Sequence, residues 1–381
     1  MARYIPYRPA WLEEQLKTLR HLKGEPLAAG LYSITQRMEA EGKLDEQVGW
    51  LRETISVSND HGRFDYVLKA FGDLRRLYAQ HPDHDGARDA VLWYFKWVLE
   101  HLSDHADISR QSIEDTFKAA HETYRTAGES DGPLLGLRCS AAMHMGEDKE
   151  TVTRWFNAWD AAPKGNSDDC AACEADQRIA YWLHMEDFDK ALEAARPILQ
   201  DQKWCDFTPY TLSRLMVGAI QSGRGKLAHA LHRGSIRAVR HKGNMRIMLG
   251  THIVATCLMG EFTTSRRLVL IGLRRAETSD DRTKFQLYRA AFIGISLQLL
   301  FTGTAPAIPT RLIPPSANPP STDTTPAALA AKLFLDAARE VAGRLNARNG
   351  NNEYDQRIEQ SEGLVRSLAE AMSKEREENR G

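Results

Sequence analysis

The sequence predicts an all-α protein: helix-turn-helix units stacked one on the next, closed by a C-terminal helical extension. Three observations predict it. Apolar residues recur at helical spacing almost throughout, long strand-like alternation is absent, and three segments align with one another at a fixed step.

The first helical pattern is PAWLEEQLKTLRHL, which puts Trp11, Leu16, Leu19 and Leu22 on one broad face with charges between them. DAVLWYFKWVLEHL is apolar nearly all round, so burial is expected for Trp93 and Trp97. TVTRWFNAWDAAP repeats the device with Trp155 and Trp159. The aligned segments are MEDFDKALEAARPIL (185–199), QSGRGKLAHALHRGS (221–235) and MGEFTTSRRLVLIGL (259–273). Ala191, Ala228 and Ser265 fall 37 residues apart, as do Gly223 and Gly260, with Glu186 at the glycine position of the first copy. Ser235 and Gly272 are further small residues, seven beyond the second and third of these positions. A small residue there allows helices to approach closely, and glycine at the turn permits backbone angles that other residues resist. Gly42 and Gly146 mark weaker, earlier copies. This register also assigns RLVLIGL (267–273), strand-like by itself, to a helix.

The pattern resembles the tetratricopeptide repeat, a helix-turn-helix unit of about 34 residues. The turn glycine and the small residue five later match. The small residue of the first helix is replaced by Ile179, Met216 and Ile253, and the units run about three residues longer. The resemblance implies degenerate repeats over residues 30–300 that wind into a right-handed superhelix with a concave groove. More narrowly, DCAAC (169–173), KWC (203–205) and NARNGNN (346–352) are similar to a group of bacterial, mainly actinobacterial, tetratricopeptide-type proteins with no assigned activity. The expected organisation is therefore a repeat array over 1–303, then a segment at 304–326 holding seven of the fifteen prolines. A helical pair at 327–376 and a charged tail at 377–381 follow. The proline-rich segment reads as an extended linker or surface loop. In the helical pair, Leu329, Leu333, Ala337 and Val341 form one stripe, and Tyr354, Ile358, Val365, Leu368 and Met372 another. The second either docks on the array as a cap or pairs with a second copy of the chain.

Composition narrows the partners. A net charge of −1 gives no global field to recruit nucleic acid or a membrane. The N-terminal stretch lacks the apolar core of a signal peptide, and no run of about 18 apolar residues occurs. Five cysteines, an odd number, point to reduced thiols in a cytoplasmic protein rather than a disulfide scaffold.

Three of those cysteines carry chemistry by their spacing. Cys170-x2-Cys173 has the pitch of two zinc ligands, and Cys205 lies 32 residues after Cys173, at the start of the next first helix. If helix starts stack along one edge, the three thiols converge. His232 is the fourth ligand we assign, with His229 and His252 as alternatives, making a structural zinc site. The competing reading makes Asp168 or Asp169 a helix cap and the cysteines small buried hydrophobes. A redox pair at a helix N-terminus is the third.

Between Asp206 and Glu261 no Asp or Glu occurs, while Lys226, Arg233, Arg237 and Arg240 share one helical face at steps of seven, four and three. Such a stripe suits an acidic peptide or protein. Nucleic acid is disfavoured, because few aromatics interleave with the charge. Alternatively the stripe only balances the acidic repeat before it, residues 159–193. Catalytic signatures are missing: QSGRGKL lacks the first glycine and the Ser/Thr of a phosphate loop, and HETYR lacks the second histidine of a zinc protease motif. His144 and His184 read as ordinary packed or surface residues. The sequence thus points to a recognition scaffold that binds an acidic partner. The alternatives are a metal- or thiol-dependent sensor using Cys170, Cys173 and Cys205, and an enzyme whose site the sequence does not advertise.

Overall fold

A short turn ending in a left-handed residue recurs between paired helices. After Gly42, Gly62, Gly146, Gly223 and Gly260, all at positive φ, the next helix begins within three residues. The hydrogen bonds are those of a Schellman ending: Arg224 N–H donates to Ala219 O at 2.8 Å, and Glu261 N–H to Thr256 O at 2.8 Å. Glu186 occupies the same position at φ 63°, with Asp187 N–H donating to Trp182 O at 2.9 Å, so the turn tolerates a non-glycine residue there.

The structure is a computed structural model describing residues 9–200, 204–205, 208–241 and 245–378. It is all-α, 78% helix, with eighteen α-helices and one pair of two-residue strands among the described residues. Two units are distinguished. The first comprises Met1–Leu102, Glu114–Leu137 and Ala161–Asp168; the second comprises Ser103–Ile113, Arg138–Asp160 and Asp169–Gly381.

The first unit contains α1 (Ala10–Leu19), α2 (Glu25–Ala40), α3 (Leu44–Asp60), α4 (Phe64–Gln80) and α5 (Asp85–Leu102). α2 packs on α3 and α4, and α3 on α4 and α5. Buried tyrosines link successive helices: Tyr94 OH donates to Arg52 O (3.1 Å) and Tyr124 OH to Leu92 O (2.8 Å), so each ring is buried with its hydroxyl satisfied. Trp93 departs from expectation. It is 46% exposed, and the Lys96 ammonium lies 4.0 Å from its ring centre. α5 is apolar all round, but its inner face is already filled by Ala90, Val91, Tyr94, Phe95 and Val98. The ring then serves to cover the stem of a lysine that is itself buried. Two helices are divided between the units, α6 (Arg110–Ala127) and α7 (Gly132–Met145), while α8 (Lys149–Asp160) belongs to the second.

The second unit continues with α9 (Ala171–His184), α10 (Phe188–Ala194), α11 (Arg196–Leu199), α12 (Thr208–Gln221), α13 (Gly225–His241), α14 (Met248–Leu258), α15 (Phe262–Ala276) and α16 (Asp281–Thr302). Each first helix touches its own partner and the next first helix: α9 meets α10 and α12, α12 meets α13 and α14, α14 meets α15 and α16. Ala191, Ala228 and Ser265 are all buried in their second helices, and RLVLIGL lies inside α15. The bulky first-helix residues Ile179, Met216 and Ile253 are buried too. Ile253 fits because Gly294 faces it; a Cβ at Gly294 would meet Ile253 Cγ2 at 2.9 Å, so the small residue sits on the neighbouring helix instead.

The proline-rich segment is packed rather than an extended linker. Ile308 pairs with Thr325 across the short antiparallel strands, and Ile308 and Ile313 are buried in the same core as α15 to α17. α17 (Ala327–Asn349) packs along α16, and α18 (Glu353–Glu378) on both. Leu333, Ala337 and Val341 are buried as expected, but Leu329 is 40% exposed and Ala330 takes its place inside. The NARNGNN stretch fastens this pair to the unit. Asn346 Oδ1 accepts from Tyr354 N–H (2.9 Å), and Asn351 Nδ2 donates to Met145 O (2.7 Å). Arg348 donates to Ser103 O (2.8 Å) and His105 O (2.9 Å), and Tyr354 OH to His144 O (2.9 Å). No described helix is long and apolar enough to cross a membrane.

Candidate metal centre and basic face

Cys170 is the residue immediately before α9 and Cys173 lies in its first turn. Three residues of helix carry Cys173 back toward the helix start, so the two thiols meet at 3.5 Å. Cys205 is presented by the turn that opens α12: its N–H donates to Thr208 Oγ1 (2.9 Å) while Thr208 N–H donates to Cys205 O (3.1 Å). α9 and α12 are packed against each other, which brings Cys205 Sγ to 3.7 Å from Cys173 Sγ. All three sulfurs lie within 4.8 Å of one another and could hold a metal ion; no other group of three His, Cys, Asp or Glu donors gathers this tightly among the described residues.

The N-cap residue of α9 is Cys170, whose side chain makes no capping hydrogen bond, and Asp168 turns back to accept from Gly165 N–H at 2.9 Å. The helix-start N–H groups act on the thiol instead. Burial pushes Cys170 up, but the N–H groups of Cys173 and Ala172 and the neighbouring thiols outweigh it, and the Cys170 thiol sits below its ordinary range. Cys173 goes the other way: burial first, then the charge of Cys205 and Cys170, push it far up. Cys170 therefore gives up its proton more readily than Cys173, and a cation bound by all three sulfurs as thiolates would offset the repulsion between them. Cys139 and Cys257 are buried singly and pushed by burial to about 12, as inert packing residues.

His232 does not join the thiols. Its Nδ1 lies 2.9 Å from Nδ1 of His252, which is buried completely. His252 Nε2 meets Ser213 Oγ (3.0 Å) and Ser235 Oγ (3.3 Å), both of which already donate to carbonyls. The hydroxyls therefore accept, His252 carries its proton on Nε2, and its Nδ1 accepts from His232. The reason is local: His232 faces inward on α13, toward α14 rather than toward the helix starts. His229 pairs with Glu261 at 3.1 Å.

Lys226, Arg233, Arg237 and Arg240 all lie exposed along α13, and none forms an ion pair with a described residue. Arg214 and Arg224, by contrast, pair with Asp176 (3.4 Å) and Asp189 (2.7 Å) of the preceding acidic repeat. Those two arginines therefore balance the acidic segment, and the predicted stripe has no ion-pair partner among the described residues.

The sequence reading missed a cluster on α12, α14, α16 and α18: Arg289 with Gln221, Thr251, Gln286 and Gln360 around a cleft of about 430 Å³. The signal available was an arginine inside the apolar run LYRAAFIGI. Compared with known proteins, the chain matches no family model, no curated protein and no solved structure.

Proposed function

We propose that this chain is a metal-dependent regulatory protein of the helical-repeat class. Cys170, Cys173 and Cys205 hold a soft cation, zinc first among the candidates, that fastens the start of α9 to the turn before α12. The observation that carries this reading is the convergence of three sulfurs, from two segments 32 residues apart, within 4.8 Å. Thiolates select soft or borderline ions, and such an ion linking two successive first helices makes the stacking of repeats depend on metal supply. The 37-residue pitch and the contacts between successive first helices support a tetratricopeptide-like right-handed superhelix as the scaffold.

Reconstitution of the reduced protein with cobalt(II), followed by zinc competition, tests the reading. Thiolate-to-cobalt charge-transfer absorption at one equivalent, lost in Cys173→Ala, is expected. Protein that takes up neither ion, with three thiols titrating freely, overturns it. Zinc at a hundred times its dissociation constant should add about 2.7 kcal/mol of stability.

The basic stripe on α13 favours a second reading, capture of an acidic protein or peptide. Four cations on one face, without ion-pair partners among the described residues, supply steering and charge-assisted hydrogen bonds. The double variant Arg233→Glu/Arg237→Glu should retain full helicity and lose binding to a polyglutamate probe; equal binding by both proteins removes the reading.

A further inference from the structure

Arg289 is the one guanidinium lining this cleft, and it has no acidic partner among the described residues. Its Nη1 reaches only Arg357 O (3.4 Å) and Ser361 Oγ (3.5 Å), both long contacts, and its Nε is enclosed without any hydrogen-bond partner. No described carboxylate bonds to it, and the charge that acts on it is that of Arg357, itself paired with Glu353 at 2.8 Å. A half-buried cation with an enclosed Nε and no anion beside it is an unfavourable arrangement that a bound anion would correct.

The rest of the cleft specifies what kind of anion. Gln221, Gln286, Gln360 and Thr251 line it, and none of their side chains makes a hydrogen bond within the protein. The opposite lining is apolar, formed by Val254, Ile293 and Leu364. The volume, about 430 Å³, falls in the range of small-molecule sites. A planar guanidinium offers two parallel N–H groups, the match for a carboxylate rather than for a dianion that needs several cations.

We propose that this cleft binds an organic carboxylate with an apolar body, Arg289 holding the carboxylate and the three glutamines and Thr251 reading polar substituents. The ligand enters among α12, α14, α16 and α18, so its binding also ties the C-terminal helix to the first helices. Burial also pushes the Arg289 guanidinium down, to about 10, with Arg357 adding to the effect, and a bound carboxylate reverses that shift. The site shares no residue with the thiol cluster and stands or falls independently of it.

Calorimetric titration of the full chain tests the assignment, with 4-methylpentanoate, 4-methylpentanamide, inorganic phosphate, and a leucine-ended tripeptide as free acid and as C-terminal amide. Saturable binding of at least one acid is expected, with its amide weaker by about tenfold or more. Binding of the tripeptide acid alone supports the assignment and identifies a peptide C-terminus as the source; binding of 4-methylpentanoate supports it with a free acid. Arg289→Gln should abolish the signal. Gln360→Trp, at an exposed position on the cleft edge, should do so without touching the guanidinium, which guards against a folding defect in the first variant. Acid and amide binding equally, phosphate binding in preference to every acid, no saturable binding in the millimolar range, or unchanged affinity in folded Arg289→Gln would each overturn it.

Discussion

Arg282 and Arg289 sit seven residues apart on α16, two turns along the same side, yet their surroundings differ in one respect. Arg282 bonds the Asp104 carboxylate and the ring nitrogen of His144 at 3.0 Å. Burial disfavours its charge, but Asp104, with Tyr210 and Tyr354 beyond, outweighs that and holds the guanidinium above its usual range. Arg289 has burial without the carboxylate, and moves down. The start of the helix therefore carries a satisfied structural ion pair, and its middle a cation kept in a cleft at a cost to stability. A cost of that kind without a structural return is what a binding site looks like before its ligand arrives.

The largest expected effect is at the paired end. Asp104→Asn leaves a buried guanidinium uncompensated and should destabilise the protein by about 3–5 kcal/mol in a denaturant titration. A loss below about 1 kcal/mol would show that the two arginines do not differ as described.

Acid probes the same end next. Arg282 donates to His144 Nδ1, so that nitrogen must keep its lone pair; burial first, then the Arg282 charge, hold His144 well below its ordinary range. His252 is lowered to about 3, by burial and then by His232. Groups whose folded values lie below their unfolded ones bind more protons when unfolded. Their contribution is therefore intact above pH 6.5 and lost as pH falls from there toward 3, at up to about 1.4 kcal/mol per pH unit for each fully neutral histidine. Stability that stays flat between pH 7 and pH 5 would contradict both placements.

The sequence made some of this legible and hid the rest for physical reasons. Helices, turn glycines and the 37-residue register were readable because a left-handed turn and a close helix contact each restrict residue type locally, at Gly223, Gly260, Ala191 and Ala228. The three thiols were readable because they lie at the starts of α9 and α12, two helices that pack on each other. His232 was misassigned because spacing alone does not fix which way a helix is rotated; the side chain turns toward His252. Trp93 and Leu329 were misplaced for a related reason, since an all-apolar helix does not declare which apolar residue is left outside. The cleft was invisible because Gln221, Thr251, Arg289 and Gln360 come from four helices spread over 140 residues of chain (221 to 360), with no local spacing to connect them.

At the unpaired arginine the sign of the effect reverses. Arg289→Met removes a charge that nothing neutralises and keeps a flexible apolar stem against Phe285 and the cleft wall. Without ligand the variant should be as stable as the parent or more stable, by about 1 kcal/mol. A large loss would mean that Arg289 is structural after all, and would erase the contrast with Arg282.

The smallest effect is expected at the rim of the paired end. Arg344 bonds Asp281 Oδ1 at 2.8 Å, but its side chain is half exposed while that of Asp281 is buried. Water screens such a pair, and the aspartate does not depend on it, because its other oxygen accepts the Ala106 N–H at 2.8 Å. Arg344→Gln should therefore cost under about 1 kcal/mol, less in high salt, where Asp104→Asn keeps most of its effect because a buried pair is poorly screened. Measuring both variants at low and high ionic strength separates the two kinds of ion pair on one helix end. Equal salt sensitivity would show that the Asp104–Arg282 pair is as open to solvent as the rim, and would leave Arg289 as one exposed arginine among several.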